Sequence, residues 1–443
     1  MKLIYSKILL ALFVVARANA AETPAPAPTT STNSAASLPA SLTLADAREL
    51  ALKNHPRLSA ADLKALAAQQ GIAQSRAAFL PSFTANLTAA STPETNTRLG
   101  AGGLNVPTVF ERAGAGLVVN QLLTDFGRTA DLVETSRLRA RAENEVAQAA
   151  RNLLLLQVTA SFYHALQAQS VLAVARQTLT NRQVLLDQVS ALAKNQLKSD
   201  LDVSFARVNF EEARLLIAKS DNDLRAAQFS LTTLLGSRDA QVFTLGEPPL
   251  PESTPEDVAA LVAAALARRP ELARLRAERD AAVRFARAEK GLAYPTVSAV
   301  GSIGSLPIRD PRLPEHYAAA GVNVSIPLFN GGLHAARRTE AELKARAAEE
   351  NLRDEENNLI RDVRIAHQNA AYAHERLDLT AKLHEHARIA LNLAQTRYQL
   401  GATSIGEFNR TQLNQTTAEI AVATARYDYL IQRAILDFQT GAR

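Results

Sequence analysis

Residues 128–235 read RTADLVETSRLRARAENEVAQAARNLLLLQVTASFYHALQAQSVLAVARQTLTNRQVLLDQVSALAKNQLKSDLDVSFARVNFEEARLLIAKSDNDLRAAQFSLTTLL, without a single glycine or proline in a chain that holds 18 of each. Ala, Leu, Arg, Gln and Glu dominate the stretch. These residues lose little rotamer freedom in a helix, so helix is favoured at nearly every step. At about 1.5 Å of rise per residue, even about 65 of them reach on the order of 100 Å. A compact domain has no use for such a rod, so the rest of the chain must supply something to span.

The 443 residues allow more than one core. The start, MKLIYSKILLALFVVARANA, places Lys2 and Lys7 ahead of an apolar run and ends in Ala18-Asn19-Ala20, the pattern of a cleaved secretory leader over residues 1–20. No later stretch is apolar enough for a transmembrane helix, so membrane residence would have to come from β-strands. The chain has no cysteine, which excludes disulfides, thiol catalysis, thiolate metal sites and a lipidated N-terminal Cys. The formal charge of +5 includes Lys2, Lys7 and Arg17 of the leader, and the remainder is too small to argue for nucleic acid.

Residues 21–41 are rich in Pro, Ala, Ser and Thr and read as a flexible tail. A helix is expected from Leu42 to Arg76, capped by Thr43 with Asp46 three residues on and interrupted at His55-Pro56. The second half starts alike: Thr254-Pro255-Glu256-Asp257 opens a helix at Val258, and Arg269-Pro270 interrupts it. Pro56 and Pro81 are spaced as are Pro270 and Pro295, which marks an internal repeat. After each later proline the period changes to two. Phe83, Ala85, Leu87 and Ala89 alternate with Ser82, Thr84, Asn86 and Thr88, and Val297, Ala299 and Ile303 alternate with Thr296, Ser298 and Ser302. Loops at 92–107 and 306–314 precede second strands, with Leu117 and Val119 in one and Val322, Val324, Ile326 and Leu328 in the other. Each hairpin ends at glycine, Gly127 or Gly331-Gly332, where a long helix begins.

The expected division is therefore repeat 1 at 42–235, a linker at 236–253 and repeat 2 at 254–443. Repeat 1 comprises a helix, a hairpin at about 82–122, a helix at about 126–193, a turn and a helix at about 202–235. Repeat 2 comprises a helix, a hairpin at about 296–328, a helix at about 332–398, a turn and a helix at about 405–439. In repeat 2 Gly401 announces the turn. Superposing Gly127 on Gly332 places a concealed turn of repeat 1 at Asn195 to Asp202. A lone hairpin leaves unpaired backbone groups in hydrocarbon, and four strands cannot close a barrel alone, so several copies must combine.

This duplicated order resembles the TolC-like outer-membrane efflux proteins. The likeness rests on LADARELALKNHP at 44–56, Leu80-Pro81-Ser82, Asp125-Phe126-Gly127-Arg128, Tyr294-Pro295, PLFNGG at 327–332 and RYQLG at 397–401. The resemblance implies a mainly α protein of Gram-negative cells. Its long antiparallel helices would form a trimeric α-helical barrel across the periplasm, joined to a 12-stranded outer-membrane β-barrel with four strands per chain. The implied partners are a periplasmic adaptor, an inner-membrane pump of RND, ABC or MFS type, and outer-membrane lipid. The implied activity is a passive exit duct for efflux or type I secretion. Asn330-Gly331-Gly332-Leu333 departs from the segment of metal-efflux members and lends metal export no support. The competing reading is a periplasmic coiled-coil scaffold or adaptor without a membrane span, which would not need two bilayer-length hairpins.

In the resembling family the two helix turns form the periplasmic tip. Asp200 and Asp202, repeated around an axis, are the candidates for an acidic gate, unless they merely cap the returning helix. Leu197, Lys198, Ser199, Gly401, Ala402, Thr403 and Ser404 are the candidates for adaptor docking. Pro81, Gly127, Pro295, Gly331 and Gly332 mark the strand-to-helix junctions. His367, His374, His384 and His386 lack the spacing and companions of a metal site. No nucleophile elbow, phosphate loop or paired-acid constellation is present, so neither an enzyme nor a cofactor is expected.

Overall fold

The computed structural model describes residues 41–90, 99–101, 104–106, 112–237, 243–251, 257–309 and 314–442. The leader, nearly all of the expected tail and the helix opening at Thr254-Pro255-Glu256 lie outside them. Helix α1 (Leu44–Asn54) starts with a capping box, in which Asp46 N donates to Thr43 Oγ1 at 3.2 Å and Thr43 N donates to Asp46 Oδ2 at 3.2 Å. His55 is extended (φ −76°, ψ 119°) because it precedes Pro56, and its Nδ1 accepts from Arg57 N at the start of α2 (Pro56–Ala77). Thus the proline opens a new helix at the position where a missing N–H costs nothing. The pattern repeats at α5 (Val258–Arg268) and α6 (Pro270–Lys290), with Arg269 in the extended conformation between them.

Helices α3 (Arg128–Lys194) and α7 (Leu333–Gln399) are both 67 residues long, on the order of 100 Å each. Each turns back into a shorter helix, α4 (Asp200–Leu234) or α8 (Ile405–Thr440). The eight left-handed residues among those described form four pairs, and the members of each pair lie 205 positions apart: Phe126 with Gly331, Gly127 with Gly332, Gln196 with Gly401, and Gly236 with Gly441. Duplication has therefore conserved the places where the backbone reverses. Only two of the eight use a side chain other than hydrogen, and one of these, Gln196 at φ 60°, is the concealed turn. A left-handed conformation strains a residue bearing Cβ. Gln196→Gly is therefore expected to stabilise the chain by up to about 1 kcal/mol, and Gly401→Ala, at φ 72°, to destabilise it by about 1 kcal/mol. Thermal melts of the two variants read these opposite signs.

Several expected boundaries shift for local reasons. The long helices begin at Arg128 and Leu333 because the residues just before them are left-handed. Asp200 and Asp202, expected in the turn, lie in the first turn of α4, which Ser199 starts by a capping box with Asp202. The last strand stops at Ser325, short of the expected 328, since Pro327 has no N–H to add to a ladder.

Strand β1 (Ser41–Leu42) pairs in parallel with β6 (Thr244–Leu245) in a small outer sheet. Strands β3 (Leu99–Ala101) and β4 (Leu104–Val106) form a short hairpin between β2 (Ser82–Ala90) and β5 (Arg112–Thr124). The main sheet is antiparallel throughout, in the order β2-β5-β7-β8, with β7 at Thr296–Ile308 and β8 at His316–Ser325. The two hairpins are thus welded along β5 and β7. Near the sheet the helices contact in the order α2, α3, α6, α7, and further along in the order α4, α3, α8, α7. The largest core cluster gathers Leu42, Ala51, Leu58, Val158, Phe162, Leu166, Leu231, Leu245 and Tyr427, joining both repeats to the outer sheet.

Candidate functional site: a two-faced sheet and a helical tip

The register of the main sheet sorts its side chains into two faces. Directly paired residues share a face, so Phe83, Val119, Gly301 and Ala320 form one row, and Ala85, Leu117, Ile303 and Ala318 the next. Val297 with Val324, and Ala299 with Val322, extend the same apolar face. The opposite face carries Ser82, Asn120, Val300 and Gly321, then Thr84, Val118, Ser302 and Ala319, then Asn86, Gly116, Gly304 and Tyr317. One face suits lipid and the other water. Both outer strands, β2 and β8, leave one edge unpaired within the chain, and an unpaired edge is not tolerated in hydrocarbon. Among the described residues no helix is long and apolar enough to cross a membrane.

At the foot of the sheet stand the predicted junction residues. Pro81 and Pro295 each precede the first residue of an ascending strand, where a missing N–H is tolerated. Gly127 and Gly332 are the N-caps of the long helices, and Gly331 is left-handed beside the latter. Asp125, which is buried, fastens the first junction: its Oδ2 accepts from Thr129 N at 2.7 Å, and its Oδ1 accepts from Gly127 N at 3.2 Å. Phe79, Phe126, Tyr294 and Phe329 are exposed around this level, and Phe126 meets Tyr294 with ring centroids 6.3 Å apart. Aromatic residues at the end of an apolar strand face mark a membrane–water boundary.

At the far end the two helix turns lie side by side. Lys198 Nζ sits 3.9 Å from the centroid of the Tyr398 ring, which stacks on Phe408 with centroids 5.3 Å apart and planes 4° from parallel. Val189, Ala206, Ala394 and Ile405 close the cluster beneath. Burial, with a smaller contribution from the negative charge of Asp202, pushes the Tyr398 phenol up to about 12, so it stays neutral. Ser199 and Ser404 are N-caps of the returning helices, with Glu407 N donating to Ser404 Oγ at 3.3 Å. Leu197, Ser199, Gly401, Ala402 and Ser404 are exposed, Lys198 and Thr403 half-buried, and the Thr403 hydroxyl bonds the Glu407 carboxylate. Asp202 is engaged in its capping box, while Asp200 is exposed. Of the histidines, His384 Nε2 lies 3.7 Å from Glu419 Oε1 and His374 meets Tyr429 edge-on.

Sequence reasoning missed two seams. On α4, Leu201, Val208, Leu215 and Phe229 are all exposed, spaced at sevens with Asn222 between the last two. On α7 and its C-cap, Ile365, Tyr372, Leu379, Leu393 and Leu400 are exposed at the same spacing, with His386 completing the series. A strict period of seven is the signature of a helix that supercoils with a partner. A shallow groove between Val208 and Leu215, bordered by Arg207, Glu211 and Glu212, lies on the α4 seam. Within the chain α3 and α8 stand between α4 and α7, so neither seam has its partner there.

Residues 47–237 and 261–442 match the family model described as outer membrane efflux protein, one segment in each repeat. The alkaline protease secretion protein AprF of Pseudomonas aeruginosa is 26% identical over 90% of this chain and 84% of its own length. The cation efflux system protein CusC of Escherichia coli is 27% identical over 63% of this chain and 61% of its own length. A solved structure of CusC superposes with a TM-score of 0.78 at 21% identity, over 90% of this chain and 92% of that one.

Proposed function

The chain belongs to the outer membrane efflux protein family, and from that premise we propose that three copies of it close into one continuous exit duct through the outer membrane and periplasm. The relatives are outer-membrane efflux and secretion channels, and this chain is a channel of that class. The carrying observation is a four-stranded sheet that is apolar on one face, polar on the other and unpaired at both edges. Because its strands alternate in direction, β8 of one copy can pair with β2 of the next antiparallel, and any number of copies gives an even-stranded barrel. Two copies would make eight strands, whose interior side chains fill. Three make twelve and leave a bore. The seams support the same reading: α7 of one copy would take α4 of the next in an antiparallel coiled coil, which continues the barrel as a tube of twelve helices.

A periplasmic adaptor would dock on the turns, through Leu197, Lys198 and Ser199 on one and Gly401, Ala402, Thr403 and Ser404 on the other, and an inner-membrane pump would load the duct. The protein itself supplies passage rather than chemistry. Fractionation tests the reading: recovery as a heat-sensitive oligomer in the outer membrane that conducts in planar bilayers is expected, and recovery as a soluble periplasmic monomer favours the scaffold reading instead. Asp200 from three copies would ring the entrance with negative charge, whereas Asp202 is occupied as a cap. Asp200→Asn is expected to lower cation selectivity, read as the reversal potential in a salt gradient. An unchanged reversal potential removes Asp200 from the gate.

A further inference from the structure

The polar face of the sheet holds one aromatic side chain among its described strand residues, Tyr317, and that ring does not stand up from the sheet. A carbon placed as Cβ on Gly304 would lie 2.5 Å from both Cζ and Oη of Tyr317, and a carbon on Gly116 would collide with Oη. Gly304 is the direct neighbour of Tyr317 on β7, and Gly116 is the next residue of the row on β5. The ring therefore lies flat across one strand and reaches a second, over ground left open by two glycines. Side chains on a strand ordinarily stand roughly perpendicular to the sheet. Leu306 does the same over Gly114, where an added carbon would collide with its Cδ2.

These residues lie at the end of the sheet away from the helices, beside the connections that join β2 to β5 and β7 to β8. In the barrel of the proposed function, on which this inference rests, that end is the outer mouth and the polar face lines the bore. We propose that the glycine trough of Gly114, Gly116 and Gly304 sets the width of the mouth by holding Tyr317 and Leu306 flat against the wall. Three tyrosine rings standing upright would converge on the axis. The glycines keep them parallel to the wall, so the mouth passes bulky solutes while still presenting a phenol to them.

Gly116→Ala is the decisive substitution. The new methyl group meets the far end of a flexible side chain, and its next contact, Ile303 O, is at 3.3 Å, so the ring can lift without moving the sheet. Gly304→Ala is less suitable, since its methyl group would also lie 2.7 Å from the backbone oxygen of Ala115. The readout is the largest polyethylene glycol that enters the pore from the outer side in planar bilayers, which reports the mouth whatever the state of the tip. Gly116→Ala is expected to lower that size limit, Gly116→Ala/Tyr317→Ala to restore it, and Tyr317→Ala alone to leave it at the parent value. A parent-like limit for Gly116→Ala, or a raised limit for Tyr317→Ala alone, overturns the proposal. If Gly116→Ala yields no heat-sensitive oligomer, Gly114→Ala, which lifts Leu306, carries the same test. A parent protein that forms no pore at all would instead overturn the channel reading.

Discussion

Val208→Lys is expected to abolish the heat-sensitive oligomer, leaving the chain folded but monomeric on mild-detergent electrophoresis of unheated samples. Val208 is 55% exposed within one chain, so the folded monomer has room for the lysine and loses little. The assembled tube is different. α3 and α7 run to the tip, and α4 and α8 return from it, so α4 and α7 of neighbouring copies would run antiparallel. Counting by sevens from the tip then sets Leu201 against Leu400, Val208 against Leu393 and Phe229 against Tyr372. A lysine at 208 would carry its ammonium into the apolar layer set against Leu393. Glu211 and Glu212 border the same groove and could pair with it, but taking an ion pair out of water into a layer that apolar side chains would otherwise fill costs about 1–4 kcal/mol, and the fault would recur at every copy of the interface. Val184→Lys is the control. Val184 is 50% exposed but lies on α3, away from both seams, and the same change there is expected to leave the oligomer intact. Equal losses at the two positions would show that the α4 seam has no special role.

The contrast between the two turns shows what is legible in a sequence of this kind. Gly401 is visible as a break because glycine is the residue that adopts a left-handed backbone cheaply. Gln196 occupies the same backbone conformation with a side chain, and nothing in its chemistry announces it. Only the duplication reveals it. The strand faces were legible for a comparable reason, since a period of two leaves a mark in every residue. The order of the strands left no such mark: that β5 rather than β2 meets β7 is a tertiary fact. At the tip, Lys198 and Tyr398 are 200 positions apart in sequence yet in contact. Neither residue type would single itself out, and the stack of Tyr398 on Phe408 follows only once the two hairpins lie together. The seams of α4 and α7 are a middle case. Their period of seven is present in the sequence, but alanine and arginine fill the intervening positions and blur it until exposure separates the faces.

The small outer sheet ties the two repeats together. The two hairpin-and-rod units already meet along β5 and β7 and where α3 packs on α6 and α8, and a further tie at mid-length adds to these. The core cluster around Phe162 occupies that place, with contributions from β1, α1, α2, α3, α4, β6 and α8. Polar clasps surround it. Arg48 Nε donates to Thr159 Oγ1 at 3.1 Å, Tyr427 Oη donates to Glu247 Oε1 at 3.2 Å, and Asp428 accepts from both Gln167 of α3, at 3.0 Å, and Arg376 of α7, at 2.7 Å. The residues of 243–251 thus bind the N-terminal strand to the last helix rather than merely linking the repeats.

Phe162→Ala is accordingly expected to be the most destabilising of the single truncations, by about 3–5 kcal/mol. The ring is fully buried, meets Tyr163 edge-on with centroids 6.1 Å apart, and stands on α3 among side chains from both halves of the chain. Its removal leaves a cavity walled by rigid helices that cannot close in, and a lost transfer term adds to the lost contacts. Truncation of the neighbouring Leu153→Ala makes the comparison, because Leu153 is 45% exposed on the same helix turn as buried Leu154, and its loss is expected to cost less than about 1 kcal/mol. Thermal melting of the two variants in detergent separates the cases. If Phe162→Ala melts with the parent, the cluster around Phe162 is not what holds the two repeats together.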